Sequence, residues 1–231
     1  MLGACVALVA CSMNHSPSQS TESYEVARER MVTEQIAARG IRDPRVLEAM
    51  SSVPRHELVP EALRDRAYTD TALPIGRGQT ISQPYIVALM TEFLRVSEGD
   101  KVLEVGTGSG YQSAVLAQMG ADVYTIEIVP ELAEQARADL ERLGYAGVQF
   151  RTGDGYRGWE EEAPFAAIIV TAAPDHVPEP LVEQLAVGGR MILPVGRWYQ
   201  ELMLITRDEK NVNRQELIGV RFVPMRGEAE R

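Results

Sequence analysis

Thiols are almost missing from this chain of 231 residues, and the two present, Cys5 and Cys11, both lie at its extreme N-terminus. The rest of the sequence therefore has no disulfide, no cysteine-based zinc site and no thiol nucleophile. Histidine is equally sparse: His15, His56 and His176 stand far apart and show no metal-ligand spacing, so no bound metal is expected. Long basic runs are missing too, and the formal charge is −10. Phosphate contacts need clustered Lys and Arg, so this balance counts against a nucleic-acid partner. It leaves room for a small cationic or zwitterionic ligand. No apolar stretch is long enough to span a bilayer as a helix, since Met1 to Cys11 falls well short. No internal repeat is visible.

What remains is an ordinary globular composition, 45% hydrophobic and 24% charged. Such a chain can hold one α/β domain with a full core and a modest appendage. Residues 1–23 stand outside that fold. Leu8-Val9-Ala10-Cys11 is similar to the cleavage box of bacterial lipoproteins, with Cys11 as the lipidated residue, although no Lys or Arg precedes the apolar run. Ser12 to Ser23 is polar and Pro/Ser-rich, the composition of a disordered tether. Two readings stand side by side: an exported lipoprotein, or an unstructured extension or misplaced start codon.

Residues 24–231 read as a single domain, with 24–98 forming a helical cap and active-site loop and 99–231 the core. Tyr24 to Arg39 is charged and helix-favouring, and Gly40 suits the stop. Asp43-Pro44 supplies an N-cap and first-turn proline for a second helix through Met50. Val53 to Pro74 is rich in turns, and this third of the chain shows no strand series of its own. After Gly99-Asp100 strands and helices alternate. The strands are expected at Val102–Val105, Val123–Ile126, Val148–Arg151, Ala166–Val170 and Met191–Val195, with helices at Ser109–Met119, Pro130–Leu143 and Pro180–Ala186. That alternation implies a doubly wound, mostly parallel sheet. Glu201–Arg207 and Gln215–Val223 then read as a hairpin around Asp208-Glu209-Lys210-Asn211, adding at least one antiparallel strand to make seven in all. Five parallel strands closed by an antiparallel pair is the layout of the S-adenosylmethionine-dependent methyltransferases.

Three elements fall at successive strand ends. Val102-Leu103-Glu104-Val105 runs into Gly106-Thr107-Gly108-Ser109-Gly110. The dinucleotide fingerprint G-x-G-x-x-G would want its third glycine where Tyr111 stands. A pyrophosphate is thus disfavoured, and S-adenosylmethionine, which brings an amino-acid moiety and a sulfonium, is favoured. Glu104 suits a ligand carrying an ammonium group. Glu127 follows Val123-Tyr124-Thr125-Ile126, about twenty residues past the first glycine, where a carboxylate can accept from both ribose hydroxyls. Gly153-Asp154-Gly155 follows the third strand, where Asp154 can accept from the adenine amino group. Each also has a plain reading, as a glycine turn, a surface glutamate or a D-G turn. Their joint occurrence on the ligand edge of an open sheet is the signal.

Upstream, Leu73 to Tyr85 reads L-P-I-G-R-G-Q-T-I-S-Q-P-Y, and Pro84 can open a helix to Leu94. On physical grounds alone, Ser82 or Gln83 could simply be its N-cap. With this block the chain resembles the protein-L-isoaspartate O-methyltransferases. The other blocks carrying the resemblance are V-L-E-V-G-T-G-S-G-Y-Q (102–112), G-D-G-Y-R-G-W (153–159), A-P-F-A-A-I-I-V-T-A-A-P (163–174), L-P-V-G (193–196) and V-R-F-V-P (220–224). The resemblance runs from about Val26 to Arg226. The 73–85 block is its most specific part, because other methyltransferases lack it.

The resemblance implies a Rossmann-like methyltransferase core and makes Ser82 the active-site serine. It places Gln79, Thr80 and Ile81 beside the cofactor and supports Gly106, Ser109, Glu127, Ile128, Asp154 and Gly155 as cofactor-binding; Glu104 and Gly108 join that set from the loop itself. Val223 and Pro224 fall in a segment that lies near the bound peptide in the family, so they and Ser82 are the expected substrate contacts. The implied activity is methyl transfer from S-adenosyl-L-methionine to the free carboxylate of L-isoaspartyl residues in damaged proteins and peptides, followed by closure to a succinimide. That carboxylate is already ionised near neutrality, with a pKa of about 4, so no general base is needed. The family default also implies a cytoplasmic protein, and a monomer is expected because no heptad or exposed apolar repeat asks for a partner. The competing readings are a methyltransferase of the same fold acting on RNA or a small molecule, a dinucleotide oxidoreductase, and a catalytically silent protein-binding module.

Overall fold

Lys101 to Val105 sits at the centre of the molecule, and every residue from Val102 onward is buried. In the computed structural model, which describes residues 23–230, this strand (β3) belongs to a seven-stranded sheet. Apolar side chains on both faces explain the continuous run in its sequence, since helices cover a parallel sheet on both sides.

The chain enters through α1 (Tyr24–Arg30), N-capped by the Ser23 hydroxyl. The expected single helix to Arg39 does not persist. A π turn (Met31–Ile36) and a 3₁₀ turn (Ala37–Arg39) follow, and Gly40 ends the run at φ 103°. None of the α1 residues is buried, whereas Met31, Val32 and Ile36 all are, so the wider turn rotates these three into the core. α2 (Pro44–Ser52) starts as expected, with the Asp43 carboxylate accepting from the Arg45 amide at 2.9 Å. Val46, Ala49 and Met50 form its buried stripe.

The cap also contains strands that its sequence did not announce. β1 (Leu73–Gly76) and β2 (Gln79–Ile81) pair antiparallel around the two-residue turn Arg77-Gly78. Arg77 at φ 53° and Gly78 at φ 72° give the doubly left-handed turn that hairpin twist requires. α3 (Pro84–Leu94) follows with Pro84 in its first turn.

Beyond β3 come α4 (Tyr111–Gln118), β4 (Asp122–Glu127), α5 (Pro130–Arg142), β5 (Gln149–Thr152), β6 (Phe165–Val170), α6 (Glu179–Glu183), β7 (Leu185–Val195), β8 (Gln200–Arg207) and β9 (Val212–Val220). The sheet order is β5-β4-β3-β6-β7-β8-β9. β3 through β7 pair in parallel, β8 is antiparallel to β7 and β9 antiparallel to β8. Only β8 therefore runs against the rest. Several boundaries differ from expectation: β7 begins at Leu185 and not Met191, and β9 at Val212 and not Gln215. The helix expected to Ala186 ends at Glu183, because Leu185 already pairs with Phe165 at the start of β7. The last strand ends at Val220 rather than Val223, because Val223 to Met225 leaves the sheet to hydrogen-bond with Ala173.

One apolar cluster joins α2, α3 and α4 to one face of the sheet, and a second joins α6 and Met225 to the other. The sheet order reverses at β3, which has β4 on one side and β6 on the other. Ligands of open α/β sheets bind in the crevice at the carboxyl ends of the strands beside such a reversal.

Candidate active site

The turn after β3 is built to bring backbone close to a ligand. Gly106 adopts φ 101°, and a Cβ there would collide with the hydroxyl of Thr171. That hydroxyl, at the end of β6, donates to the Gly106 carbonyl at 2.5 Å. Gly110 opens α4 with φ 81°, a left-handed start that only glycine adopts without strain. Ser109 Oγ accepts from the Tyr111 amide at 3.3 Å, just ahead of the Gly110 N-cap.

Two spaces meet at this turn, and a third adjoins them at Thr80. A cleft of about 560 Å³ is lined by Gln79, Thr80, Gly106, Gly108, Glu127, Ile128, Gly155, Thr171, Val223, Pro224 and Arg226. A smaller compartment of about 310 Å³ is lined by Thr80, Ile81, Ser82, Glu104, Gly106, Gly108, Ser109 and Thr171. An open groove of about 1120 Å³ is lined by Thr80, Ser82, Tyr85, Tyr199, Arg221 and Phe222, among others. Thr80 borders all three, and Ser82 borders the last two.

The two glutamates differ sharply in environment. Glu127 is 5% exposed, and its carboxylate accepts from the Gly108 amide at 2.8 Å and the Val129 amide at 2.9 Å. These donors fix its orientation and leave acceptor capacity over for the cleft. Glu104 is fully buried. One of its oxygens accepts from the Ser113 hydroxyl and, at 2.9 Å, from the Thr125 hydroxyl; the other, Oε1, has no partner. Burial pushes its carboxyl up to about 8, against the pull of the two hydroxyls, and the nearby Glu127 pushes the same way. Among the described residues no basic side chain pairs with it. Glu104 lines the smaller compartment, and a buried carboxyl with an unpartnered oxygen is a place for a cation.

Of the residues expected from the sequence, Gln79, Thr80, Gly106, Gly108, Glu127, Ile128, Gly155, Val223 and Pro224 line the cleft, and Ile81, Ser82, Glu104 and Ser109 line the adjoining compartment. Asp154 is not brought to either. Its oxygens accept from the backbone amides of Tyr156 at 2.9 Å and Glu228 at 2.7 Å, so the C-terminal turn (Gly227–Glu230) sits over it. Val223 and Pro224 reach the cleft because their segment is held by the Ala173 amide on the Val223 carbonyl and the Met225 amide on the Ala173 carbonyl. Ser82 is not a cap: Gln83 occupies the N-cap position of α3, and no hydrogen bond engages the Ser82 hydroxyl among the described residues. Thr171 was missed. It ends β6 as Glu127 ends β4, and the strand-end rule that singled out Glu127 applies to it equally.

The cleft at the reversal of the sheet thus adjoins a compartment lined by Glu104 and an open groove lined by Ser82. A family model for protein-L-isoaspartate(D-aspartate) O-methyltransferase matches residues 26–230. The chain belongs to this family. Among its relatives, a protein-L-isoaspartate O-methyltransferase of Picosynechococcus sp. is 54% identical over 200 residues, spanning 87% of this chain and 90% of that protein. One from Shewanella sediminis, designated protein-L-isoaspartate O-methyltransferase 2, is 55% identical over 215 residues, covering 92% and 88%. A solved protein-L-isoaspartate O-methyltransferase superposes with a TM-score of 0.79 at 30% identity, over 87% of this chain and 67% of that one. A structure from Plasmodium falciparum described as a member of the same family, in complex with S-adenosyl-L-homocysteine, gives 0.75 at 30% identity, over 86% and 98%. The seven-stranded sheet is thus that of the family's methyltransferase core, and S-adenosyl-L-methionine is its cofactor. Among the described residues no group of three or more His, Cys, Asp or Glu could hold a metal ion, and no helix is long and apolar enough to cross a membrane.

Proposed function

We propose that this chain transfers a methyl group from S-adenosyl-L-methionine to the free carboxylate of L-isoaspartyl residues in damaged proteins and peptides, initiating repair through a methyl ester and a succinimide. One observation carries the reading most directly. Ser82, whose hydroxyl has no partner among the described residues, lines both the compartment beside the glycine turn and the open groove.

The residues present fit the cofactor. Glu127 faces the cleft with oriented lone pairs for ribose hydroxyls, and Glu104 Oε1 offers a vacant acceptor to the ammonium of the amino-acid moiety. Gly106, Gly108 and Ser109 supply bare backbone between them, with Gln79, Thr80, Ile81, Ile128 and Gly155 as walls; Asp154, held by the Tyr156 and Glu228 amides, stands outside them. When bound, S-adenosyl-L-methionine supplies an electrophilic methyl group. Everything else falls to the protein. The Ser82 hydroxyl donates to one oxygen of the isoaspartyl carboxylate and aims the other into the compartment, while Val223 and Pro224 flank the approaching chain. No proton need be removed, because the nucleophile is already an anion. Alignment is then the principal source of rate, and well-oriented systems gain about 7–11 kcal/mol from it.

Incorporation of labelled methyl into an isoaspartyl peptide, with the matching aspartyl peptide and tRNA as comparisons, tests the activity. Label in the isoaspartyl peptide alone is expected; label in tRNA alone would overturn the reading. Ser82→Ala is expected to slow the reaction by roughly 10- to 1000-fold, the range for loss of an oriented donor, with cofactor affinity retained. Full activity would remove Ser82 from the mechanism. Residues 24–231 act as one domain in this reading, and the protein is a cytoplasmic monomer. Residues 1–22, with Cys11, lie outside the described residues; a diacylglyceryl group on Cys11 in the intact mass would instead assign an exported lipoprotein.

A further inference from the structure

The turn between β7 and β8 carries two large aromatic side chains that the fold does not use. Trp198 is 95% exposed and Tyr199 73% exposed. Exposed aromatics this open are uncommon on a surface with no partner to meet. Their footing is firm. The Gly196 amide donates to the Pro174 carbonyl at 2.9 Å. The buried Gln200 amide exchanges hydrogen bonds with the Phe222 backbone, accepting from its N–H at 2.6 Å and donating to its carbonyl at 3.2 Å.

We propose that Trp198 and Tyr199 form a subsite for an apolar or aromatic side chain of the substrate polypeptide, next to the residue that is methylated. This rests on the function proposed above. Tyr199 lines the same groove as Ser82, so whatever chain delivers a carboxylate to Ser82 passes along it. Beside Tyr199 the groove is also lined by Ile218, Gly219 and Val220 of β9, the edge strand of the sheet. An edge offers unpaired main-chain groups to an extended segment and receives its side chains alternately. Tyr199 leans toward Gly219, where a Cβ would lie 3.4 Å from the tyrosine oxygen. Glycine there keeps the wall low beneath the ring. Two aromatic rings on a pinned turn give a large contact area at small conformational cost, which suits recognition of many sequences through one side chain. Damaged proteins share an isoaspartyl residue and little else, so a tolerant apolar contact fits that substrate class.

The test is a set of isoaspartyl hexapeptides in which each of the positions flanking the modified residue is Ala, Glu or Phe in turn. The wild-type protein is expected to show a KM about 3- to 30-fold lower for Phe than for Ala at one flanking position, the range for partial burial of an aromatic ring. The double variant Trp198→Ala, Tyr199→Ala is expected to bring that Phe-to-Ala ratio close to one, and Trp198→Phe, Tyr199→Phe to restore it. A wild-type protein indifferent to all flanking changes, or an Ala variant that keeps the preference, overturns the subsite while methylation of the Ala-flanked peptide upholds the activity. Methylation of none of the peptides overturns both. Sedimentation that shows a wild-type dimer dissociated by the Ala variant would assign the aromatic pair to a second copy of this chain, and overturn the subsite as well.

Discussion

Cofactor binding should expel a proton from Glu104. Burial holds this carboxyl at about 8, with hydroxyls of Ser113 and Thr125 on one oxygen, the charge of Glu127 pushing the same way as burial, and no basic partner among the described residues. Near neutrality it is mostly uncharged, and a cationic amino group at Oε1 requires the charged form. Only the ionised fraction is competent, and apparent affinity scales with that fraction. The fraction is about one in ten at pH 7 and about one in a hundred at pH 6, so affinity should rise about tenfold over that unit. The cofactor's own amino group, with a pKa of about 8, stays protonated there. Calorimetry at pH 6.5 in two buffers of different ionisation enthalpy should report close to one proton released per cofactor bound. Glu104→Gln should bind more weakly, release none and show no such slope. 5′-Methylthioadenosine, which lacks the amino-acid moiety, should release none even from the wild type. The sign can be checked without ligand as well. The folded value lies above the ordinary 4.5, so between about 4.5 and 8 the folded chain holds more protons than the unfolded one. Stability therefore falls as pH rises through that window, by up to about 1.4 kcal/mol per unit from this group, and Glu104→Gln should flatten the fall. Wild-type binding that is flat from pH 6 to 7 and releases no proton would refute the reasoning.

Two further outcomes follow from the same turn. Glu127→Ala removes a carboxylate oriented by the Gly108 and Val129 amides and should weaken cofactor binding by about 1–3 kcal/mol; unchanged affinity by calorimetry would reject its role toward the ribose. Gly106→Ala places a methyl group against the Thr171 hydroxyl at a left-handed φ, which should cost about 1–3 kcal/mol of stability, lower the melting temperature by several degrees and abolish measurable cofactor binding, whereas a wild-type melt would show that Thr171 gives way freely.

The sheet was readable because its strands are short apolar runs bounded by turn residues, and α3 and α5 because a first-turn proline opens each. Failures came where local pattern and tertiary pairing part company. Four residues of β1 and three of β2 are too few for an alternation to register, and their turn uses Arg77 at a left-handed φ instead of the Asn-Gly or Asp-Gly that marks a hairpin. Val220-Arg221-Phe222-Val223 has the pattern of a strand, so the sequence extends β9 to Val223; the Ala173 backbone, far away in sequence, draws Val223 out of the sheet. Asp154 illustrates the same limit at the site. Its position after β5 suits an adenine contact, yet the amide that occupies its Oδ2 belongs to Glu228, from the far end of the chain.

The two glutamates show where such reading stops. Both lie at or near the end of a central parallel strand, both are at most 5% exposed, and either could be taken for an anionic ligand contact. What separates them is the kind of donor each receives. Two backbone amides converge on Glu127 from the loops after β3 and β4, and amides cannot turn away. Glu104 receives only side-chain hydroxyls, from Ser113 one turn into α4 and Thr125 on the neighbouring strand, and both crowd the same oxygen. A carboxylate with fixed donors on both oxygens is a positioned acceptor. One that is buried with an unpartnered oxygen holds its proton until a cation arrives. Each set of donors depends on strand register, Glu104 lying opposite Thr125 across the β3–β4 pairing, and no spacing rule within a single segment reports it. The glycine turn thus identifies the class of cofactor, while the different chemistry of its two carboxylates comes from the strands and helices packed around them.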